Sequence, residues 1–325
     1  MPPSSPLDVA EQVKQELSRS ANEGIHFPHA DKTKLDDAKQ EPRSKQNKSN
    51  RCGGLRPTAG LLDVVVVLQN KNKGMVITME IWRYPRFFST QIKENSACLS
   101  TEDTHHATQV LRMKRGDKAI VCDGKCRDYL CEYSENGKLS IINSQSSKAE
   151  PKIHLRLFQC LPKSDKMDYI VQKAVELGAS EIIPVTSARC VSRLSAESAE
   201  KKIPRWNKIA YEAAKQCGRG KIPSVGEVLG FQKAVQMVKS ENVGIIFYES
   251  GGEQLNDIIG NTATRFAQIS RIDLLIGSEG GFEEEEIELA KARGIVPATM
   301  GKRILRVDTA SVAAISVVMF LTKNW

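Results

Sequence analysis

The sequence predicts an α/β protein in which a small β-barrel precedes a larger domain built on a parallel β-sheet. Before Pro151, short β-like segments alternate with Asp-Gly and Asn-Gly turns, a spacing typical of a small barrel. After Pro151, strand patterns alternate with amphipathic helices, as in parallel α/β sheets. Residues 243–248 and 272–276 form apolar runs, which is typical of parallel strands buried on both faces.

The barrel is predicted to span residues 79–148. A helix is predicted at residues 104–113, and strands are predicted at residues 119–122, 128–133 and 139–142. The turn pairs Asp123-Gly124 and Asn136-Gly137 separate these strands, so consecutive strands are expected to pair as hairpins.

The second domain is predicted to span residues 151–325. Strands are expected at residues 153–161 and 181–186, and apolar periodicity predicts helices at residues 166–177, 204–217 and 283–293. The last helix, residues 309–321, is apolar nearly all round, so it must be buried in the core or against another chain. Because parallel sheets bind ligands at the carboxyl ends of their strands, we expect a site there.

The composition narrows the classes of function. The 325 residues carry a net charge of +8 with a pI near 9.0, which favours a polyanionic partner, although a simply basic protein fits the charge equally well. The cysteines are scattered without zinc-finger spacing, so we expect a reducing compartment and no metal site. No apolar run reaches the roughly 18 residues of a membrane span.

The first 78 residues are expected to lie outside both domains. Residues 1–60 are polar and predicted to be disordered, and the whole segment is either disordered or a lineage-specific extension, with Met79 as an alternative start. The N-terminus resembles neither a signal peptide nor an Arg-rich transit peptide. We expect a cytoplasmic location for a bacterial source and an organelle for a eukaryotic one.

A glycine-rich loop follows the predicted strand 272–276 and consists of Gly277, Ser278, Glu279, Gly280 and Gly281. Glycines let the backbone approach a ligand closely. The acidic residue disfavours a phosphate and favours a cationic or neutral polar ligand. S-adenosylmethionine, with its positively charged sulfonium and amino group, fits this preference. The alternative is that the segment is an ordinary tight turn without a ligand.

A second loop, residues 300–310, contains the three cations Lys302, Arg303 and Arg306. It ends at Asp308 and Thr309, and residues of these types cap helix N-termini. Arg306 lies between apolar residues and close to Asp308, so the pattern favours a positioned guanidinium. A cap preceded by a solvated basic loop is the alternative.

Two further segments are candidates for RNA contacts. Arg86 and Phe87 in the barrel, with Arg112 downstream, combine an aromatic ring that stacks on bases with cations that bind phosphates. Residues 215–219 add Lys and Arg at the end of a predicted helix. The alternatives are barrel core with surface charge for the first segment and a helix C-cap for the second.

Taken in order, these segments resemble a single family. The motifs are Arg86-Phe87-Phe88, His-x-x-x-Val-Leu-Arg at 106–112, QKAVELG at 172–178, AAKQCGR at 213–219, IGSEGG at 276–281 and GKRILRVDTA at 301–310. In this order and spacing they closely resemble the RsmE family, which methylates N3 of a uridine in small-subunit ribosomal RNA. The resemblance covers roughly residues 81–325, and several motifs in register are more specific than any one alone.

The resemblance implies a PUA-like barrel for RNA and a SPOUT domain whose C-terminal segment forms a trefoil knot. It also implies S-adenosylmethionine bound in the knot and a homodimer formed through the knot and the last helix. The implied cofactor contacts are Ile276, Gly277, Ser278, Glu279, Gly280, Gly281, Met300, Gly301, Ile304 and Leu305. The implied catalytic residues are Arg306 and Asp308, and the implied RNA contacts are Arg86, Phe87, Arg112, Lys173, Arg189 and Arg219.

Three positions depart from the family pattern. The family usually has proline at Ser278 and glutamate at Asp308, and it often has glutamate at Lys215. The serine loosens the glycine loop and the aspartate retracts a carboxylate by one methylene. We expect both changes to weaken cofactor binding without removing an indispensable group.

The implied reaction is an in-line displacement in which uridine N3 attacks the sulfonium methyl group. Positioning of the two reactants is expected to supply most of the catalysis. Arg306 is expected to stabilise the developing uridine anion, and Asp308 is a candidate base or orienting group. The alternatives are methylation of another RNA and a non-catalytic RNA-binding or ribosome-assembly protein. An oxidoreductase is disfavoured because no GxGxxG follows a strand.

Overall fold

The computed structural model describes residues 84–192, 195–260 and 270–325, all within one compact unit, Gly74–Trp325. The predictions for residues 1–78 lie outside the described residues. The same holds for the first residues of the predicted barrel.

The first part of the described chain is a six-stranded sheet with one helix. Its elements are β1 (Arg86–Phe88), β2 (Ile92–Lys93), β3 (Ser96–Cys98), α1 (Thr101–His105), a π-helical turn over His106–Val110, β4 (Lys118–Cys122), β5 (Arg127–Tyr133) and β6 (Lys138–Ser146). The spatial order is β1-β4-β5-β6-β3-β2, with β1 parallel to β4 and the other pairs antiparallel. Buried side chains from β1, β3, β4, β5 and β6 share one core. The predicted small β-domain is confirmed.

The second part is an eight-stranded, fully parallel sheet. Its elements are β7 (His154–Cys160), α2 (Lys166–Glu176), β8 (Glu181–Thr186), α3 (Ala196–Gln216), β9 (Ser224–Val225), β10 (Leu229–Gly230), α4 (Phe231–Met237), β11 (Val243–Phe247), β12 (Glu253–Gln254), α5 (Leu255–Gly260), β13 (Arg271–Ile276), α6 (Glu284–Ala292), β14 (Val296–Thr299) and α7 (Val307–Leu321). The strand order is β10-β8-β7-β13-β11-β14-β12, with β9 beside β8. The predicted parallel sheet is confirmed, although α4, α5 and several short strands were not anticipated.

Two predicted helix starts in the second part were wrong. Helix α3 begins at Ala196 rather than at Pro204, because Ser195 caps it by accepting a hydrogen bond from the Ser198 backbone N–H at 3.2 Å. Helix α7 begins at Val307, and its cap residue is Arg306 with extended backbone rather than Asp308 or Thr309. A proline and an Asp-Thr pair both suit a first turn, so local pattern placed each start too late in the chain.

The apolar run of β13 contains one charge, Asp273, which is fully buried. Its carboxylate accepts hydrogen bonds from Arg156 on β7 at 2.8 and 3.0 Å. A buried carboxylate is tolerated when it is paired in this way, so the ion pair joins the two central strands of the sheet.

Helix α7 packs one face into the core and leaves part of the other face open. Ala314, Ile315 and Val318 are buried, whereas Val317 and Phe320 are exposed, Phe320 to 70%. Ser311 donates a 2.6 Å hydrogen bond to the buried side chain of Gln159 on β7. One face of the helix is therefore buried in the core, which was the first of the two predicted arrangements. Within the described ranges, no helix combines the length and apolar character that crossing a membrane requires.

Candidate active site

A cleft of about 580 Å³ opens at the carboxyl ends of the parallel strands. Its walls are the loops that follow β11, β13 and β14, together with the start of α7. Strand β7 lies between β8 and β13, so the direction of chain progression reverses beside this cleft, the usual ligand position in such sheets. The two predicted cofactor loops meet here, and every residue predicted to contact the cofactor lines the cleft.

The glycine loop presents bare backbone to the cleft. Gly281 has a positive φ of +68°, and its N–H donates a 3.0 Å hydrogen bond to the Ser278 carbonyl, which closes a tight turn. A Cβ added to Gly280 would lie 2.9 Å from the Arg189 Cβ and 3.0 Å from its carbonyl oxygen. Side chains at these positions would therefore force the loop or its neighbour to move.

Glu279 does not offer a free negative charge to a ligand. Its carboxylate accepts a 2.7 Å hydrogen bond from Lys166 at the start of α2 and a 3.2 Å hydrogen bond from the Lys163 backbone N–H. Burial raises the pKa of Glu279, but these hydrogen bonds outweigh burial and hold the pKa below its ordinary value. The predicted preference for a cationic or neutral ligand was based on this carboxylate, and its pairing with a lysine 113 residues away was not anticipated.

A second carboxylate lines the cleft and was missed by the sequence analysis. Glu249 follows β11, and its side chain is exposed in the cleft. Within the described part of the chain it forms no hydrogen bond and no ion pair. The signal that would have revealed it is its position directly beyond a buried parallel strand, where ligand-binding residues commonly occur.

A short segment after β8 forms the wall behind the glycine loop. The Arg189 side chain donates a 3.3 Å hydrogen bond to the Gly280 carbonyl, and Ser278 Oγ donates a 3.4 Å hydrogen bond to the Arg189 carbonyl. Glu286 of α6 accepts a 2.9 Å hydrogen bond from the Ala188 backbone N–H. Interaction with the neighbouring Cys160 thiol and hydrogen bonding with Ser187, whose hydroxyl lies 3.2 Å from the sulfur, lower the pKa of the Cys190 thiol despite its burial.

The basic loop before α7 forms the opposite wall. Lys302, Arg303 and Arg306 are exposed and line the cleft, and Ile304 between them is 88% exposed. Asp308, the second predicted catalytic residue, does not line the cleft. Its Oδ1 atom is buried without a hydrogen-bond partner in the described residues, within the first turn of α7.

Two predicted RNA contacts in the barrel are buried. The Arg86 side chain is only 6% exposed, and its guanidinium donates to Asp128 Oδ1 at 2.7 Å and to the Arg219 carbonyl at 2.8 Å. Phe87 is fully buried in the barrel core, edge-on to the His106 ring. The RNA-binding prediction for both residues does not agree with this burial, since neither side chain reaches the surface.

Arg219 and Lys215 at the end of α3 are also buried, against the barrel and its connection to the sheet. Arg219 donates hydrogen bonds to Glu150 at 2.8 and 3.1 Å, so its predicted RNA contact likewise does not agree with its burial. Lys215 donates a 2.8 Å hydrogen bond to Asp103 of α1. We call these residues and their partners, together with Arg86 and Asp128, the interdomain seam. A lysine at position 215 is explained by Asp103, which a glutamate would repel.

The remaining predicted RNA contacts stay available at the surface. Arg112 is exposed, with a φ of +54° at the end of the π-helical turn, and Leu111 beside it is also exposed. Lys173 is half-buried and pairs with Glu176 at 2.7 Å. Together with Arg189, which is exposed beside the glycine loop, these residues remain candidates for contacts with a polyanion.

Two family models match this chain. Residues 149–319 match the model described as RNA methyltransferase domain, and residues 99–142 match the model described as RNA methyltransferase PUA domain. The first match contains the whole cleft, and the second lies within the six-stranded sheet.

Individual proteins are similar to this chain over most of their own length. Ribosomal RNA small subunit methyltransferase E of Bacillus subtilis is 33% identical over 231 residues, which cover 69% of this chain and 90% of that protein. The protein of the same name from Synechocystis is 30% identical over 237 residues, covering 72% of this chain and 76% of that protein. A crystal structure of ribosomal RNA small subunit methyltransferase E from Neisseria gonorrhoeae, bound to S-adenosyl methionine, has 31% sequence identity and a TM-score of 0.65, and covers 73% of this chain and 98% of that chain.

Proposed function

The chain belongs to the RsmE family of RNA methyltransferases, and we propose that it transfers a methyl group from S-adenosylmethionine to N3 of a uridine in small-subunit ribosomal RNA. The observation that carries this proposal is the cleft in which the glycine loop and the basic loop meet. The similar enzyme from Neisseria gonorrhoeae was crystallised with this cofactor. We further propose that the barrel, residues 79–148, holds the RNA while the domain at residues 151–325 carries the chemistry.

The cleft suits S-adenosylmethionine in size, lining and charge. Its volume of about 580 Å³ lies within the range of roughly 300–1,000 Å³ found for small-molecule sites. The apolar side chains of Phe247, Ile276 and Leu305 provide a surface for an adenine ring, and the bare glycine loop admits close contact. Glu249 brings a negative charge for the positively charged cofactor, and Lys302 and Arg303 bring cations for its carboxylate. When bound, the cofactor supplies an electrophilic methyl group.

Arg306 is the residue that we propose to act on the uridine. It is the N-cap residue of α7, and its guanidinium lines the cleft without an ion-pair partner among the described residues. Uridine N3 must lose a weakly acidic proton as it attacks, so negative charge develops on O2 and O4. A positioned cation stabilises such charge in a site that excludes water. Asp308 is proposed as an orienting residue, because its buried Oδ1 lies in the adjoining first turn.

Cofactor binding tests the proposal directly. We would measure S-adenosylmethionine binding by calorimetry for wild type and Gly280→Trp, with Gly230→Trp as the matched control. Gly230 is exposed, and a Cβ there meets nothing within 4 Å, whereas the Gly280 substitution strikes the Arg189 backbone. We expect micromolar binding by wild type and the control and none by Gly280→Trp, with thermal melts verifying that each variant is folded.

The outcome of that measurement decides the next step. Binding as expected leads to mapping of N3-methyluridine in ribosomal RNA incubated with the enzyme and cofactor. A well-folded wild type that binds no cofactor would contradict the proposal and favour the non-catalytic RNA-binding protein, with Ser278 and Asp308 as the first suspects.

Replacing Arg306 should separate chemistry from binding. Because its proposed role is confined to the transition state, Arg306→Ala should lower kcat about 100-fold while changing cofactor affinity little. Arg293→Ala, an exposed arginine at the end of α6 outside the cleft, is the control. Single-turnover methyl transfer to small-subunit ribosomal RNA measures the effect. An unchanged kcat would remove Arg306 from the proposed mechanism.

We also propose that the enzyme is a homodimer and that its C-terminal segment forms a trefoil knot. The exposed Val317 and Phe320 of α7, with exposed Trp325 beyond it, form an apolar surface that a second copy would cover. Phe320→Glu should therefore reduce the mass in solution from about twice 36.0 kDa to 36.0 kDa. Light scattering after gel filtration checks this, and a wild type that is already monomeric would contradict it.

A further inference from the structure

Glu249 holds its carboxylate directly against the glycine loop. A Cβ added to Gly281 would lie 2.3 Å from Glu249 Oε1 and 2.8 Å from its Oε2. Gly281 also has the positive φ that disfavours other residues, so both the backbone and the space above it suit glycine. The carboxylate therefore sits beside the part of the loop that faces the cleft.

The charge of Glu249 has no partner among the described residues. The other carboxylate among the described cleft-lining residues, Glu279, is paired with Lys166 at 2.7 Å. Glu249 has neither an ion pair nor a hydrogen-bond donor in the described part of the chain. The cleft thus presents one unpaired negative charge at the glycine loop and unpaired cations on the basic loop opposite.

A carboxylate without a partner in the protein keeps its negative charge available to a cationic ligand, and of the cofactor's groups the sulfonium centre can be stabilised only by charge. A sulfonium centre carries a full positive charge and no N–H or O–H, so a nearby carboxylate stabilises it by electrostatic attraction alone. An ammonium group or a ribose diol can instead be satisfied by backbone carbonyls or water.

We infer that Glu249 faces the sulfonium centre of S-adenosylmethionine and discriminates the cofactor from its demethylated product. The inference rests on the proposed function. Methyl transfer leaves a neutral thioether, so the attraction disappears once the product has formed. Glu249 is therefore a specificity residue that favours binding of the cofactor over binding of its product, and it does not take part in bond making.

The test compares three ligands on the full chain by calorimetry. They are S-adenosylmethionine, its product S-adenosylhomocysteine, and sinefungin, whose amine keeps a positive charge near the sulfonium position. Glu249→Gln preserves shape and removes the charge, and Glu253→Gln, an exposed carboxylate on β12 outside the cleft, is the matched control. We expect Glu249→Gln to weaken S-adenosylmethionine and sinefungin about tenfold and S-adenosylhomocysteine less than twofold.

Each other outcome has a distinct meaning. An equal loss for all three ligands would place Glu249 at the ribose or the amino acid moiety and overturn the inference, as would no loss at all. Steady-state kinetics give a second readout, since KM should rise while kcat does not fall. A folded wild type that binds none of the ligands would instead refute the proposed function on which the inference depends.

Discussion

The interdomain seam and the basic loop of the cleft use the same types of residue in opposite ways. In the seam, Arg86, Lys215 and Arg219 are at most 6% exposed in their side chains, and each has a carboxylate within 2.8 Å. In the basic loop, Arg303 and Arg306 are exposed and form no ion pair among the described residues. Buried cations with partners hold the fold together, whereas exposed cations without partners are available for a ligand.

Basic residues in the family motifs are not all free to contact RNA. Arg86 and Arg219 belong to the motifs that resemble the family, yet their guanidinium groups join the barrel to the parallel-sheet domain. A motif arginine is therefore as consistent with a structural role as with RNA binding. Burial and pairing, rather than residue type, separate the two roles.

The largest predicted effect is the loss of stability when a seam arginine is replaced. Arg219→Ala should lower the free energy of unfolding by about 3–5 kcal/mol, because it leaves the Glu150 carboxylate uncompensated and two buried carbonyls without their donor. Urea unfolding of this variant and of Arg303→Ala checks the contrast, since an exposed arginine should change the free energy by less than about 0.5 kcal/mol. Equal effects of the two substitutions would erase the distinction between the regions.

A smaller effect should appear in the pH dependence of stability. Burial raises the pKa of Glu150, but hydrogen bonds from Arg219 and from the Lys221 and Gly220 backbones outweigh it, so the folded pKa lies below the ordinary 4.5. A lowered folded pKa means that this stabilisation is complete above pH 4.5 and is lost as pH falls through the folded value.

We therefore expect the free energy of unfolding to fall between about pH 5 and pH 3, and to fall less steeply in Glu150→Gln. Urea titrations across this window measure both slopes. If the two proteins lose stability in parallel, the seam carboxylate is not a source of the acid sensitivity.

The smallest predicted effect is on RNA binding by the basic loop. Arg303→Ala should weaken binding of a small-subunit ribosomal RNA fragment three- to tenfold at about 0.1 M salt, with the slope of log affinity against log salt reduced by roughly 0.7–0.9. Fluorescence anisotropy in a salt series gives both quantities. An unchanged slope would show that Arg303 contacts no phosphate.

Much of the fold was predictable from local patterns. Strands β7, β8, β11 and β13 follow from apolar runs, and the turn pairs at 123–124 and 136–137 separate the barrel strands. The helix starts were less predictable, since α3 begins at Ala196 rather than at Pro204. A cap residue and a first-turn proline both mark a start, and only packing of the whole helix selects one.

The sequence by itself determined the two loops of the candidate site and the sheet edge where a ligand is expected, because each loop is a continuous motif and the glycine loop follows a recognisable strand. Only the tertiary structure decided which charges are free. Glu279 pairs with a lysine 113 residues away and Arg219 with a glutamate 69 residues away, whereas Glu249 is left unpaired among the described residues. Pairing depends on distances between segments that are remote in the chain, and those distances are set only when the sheet and the barrel pack together.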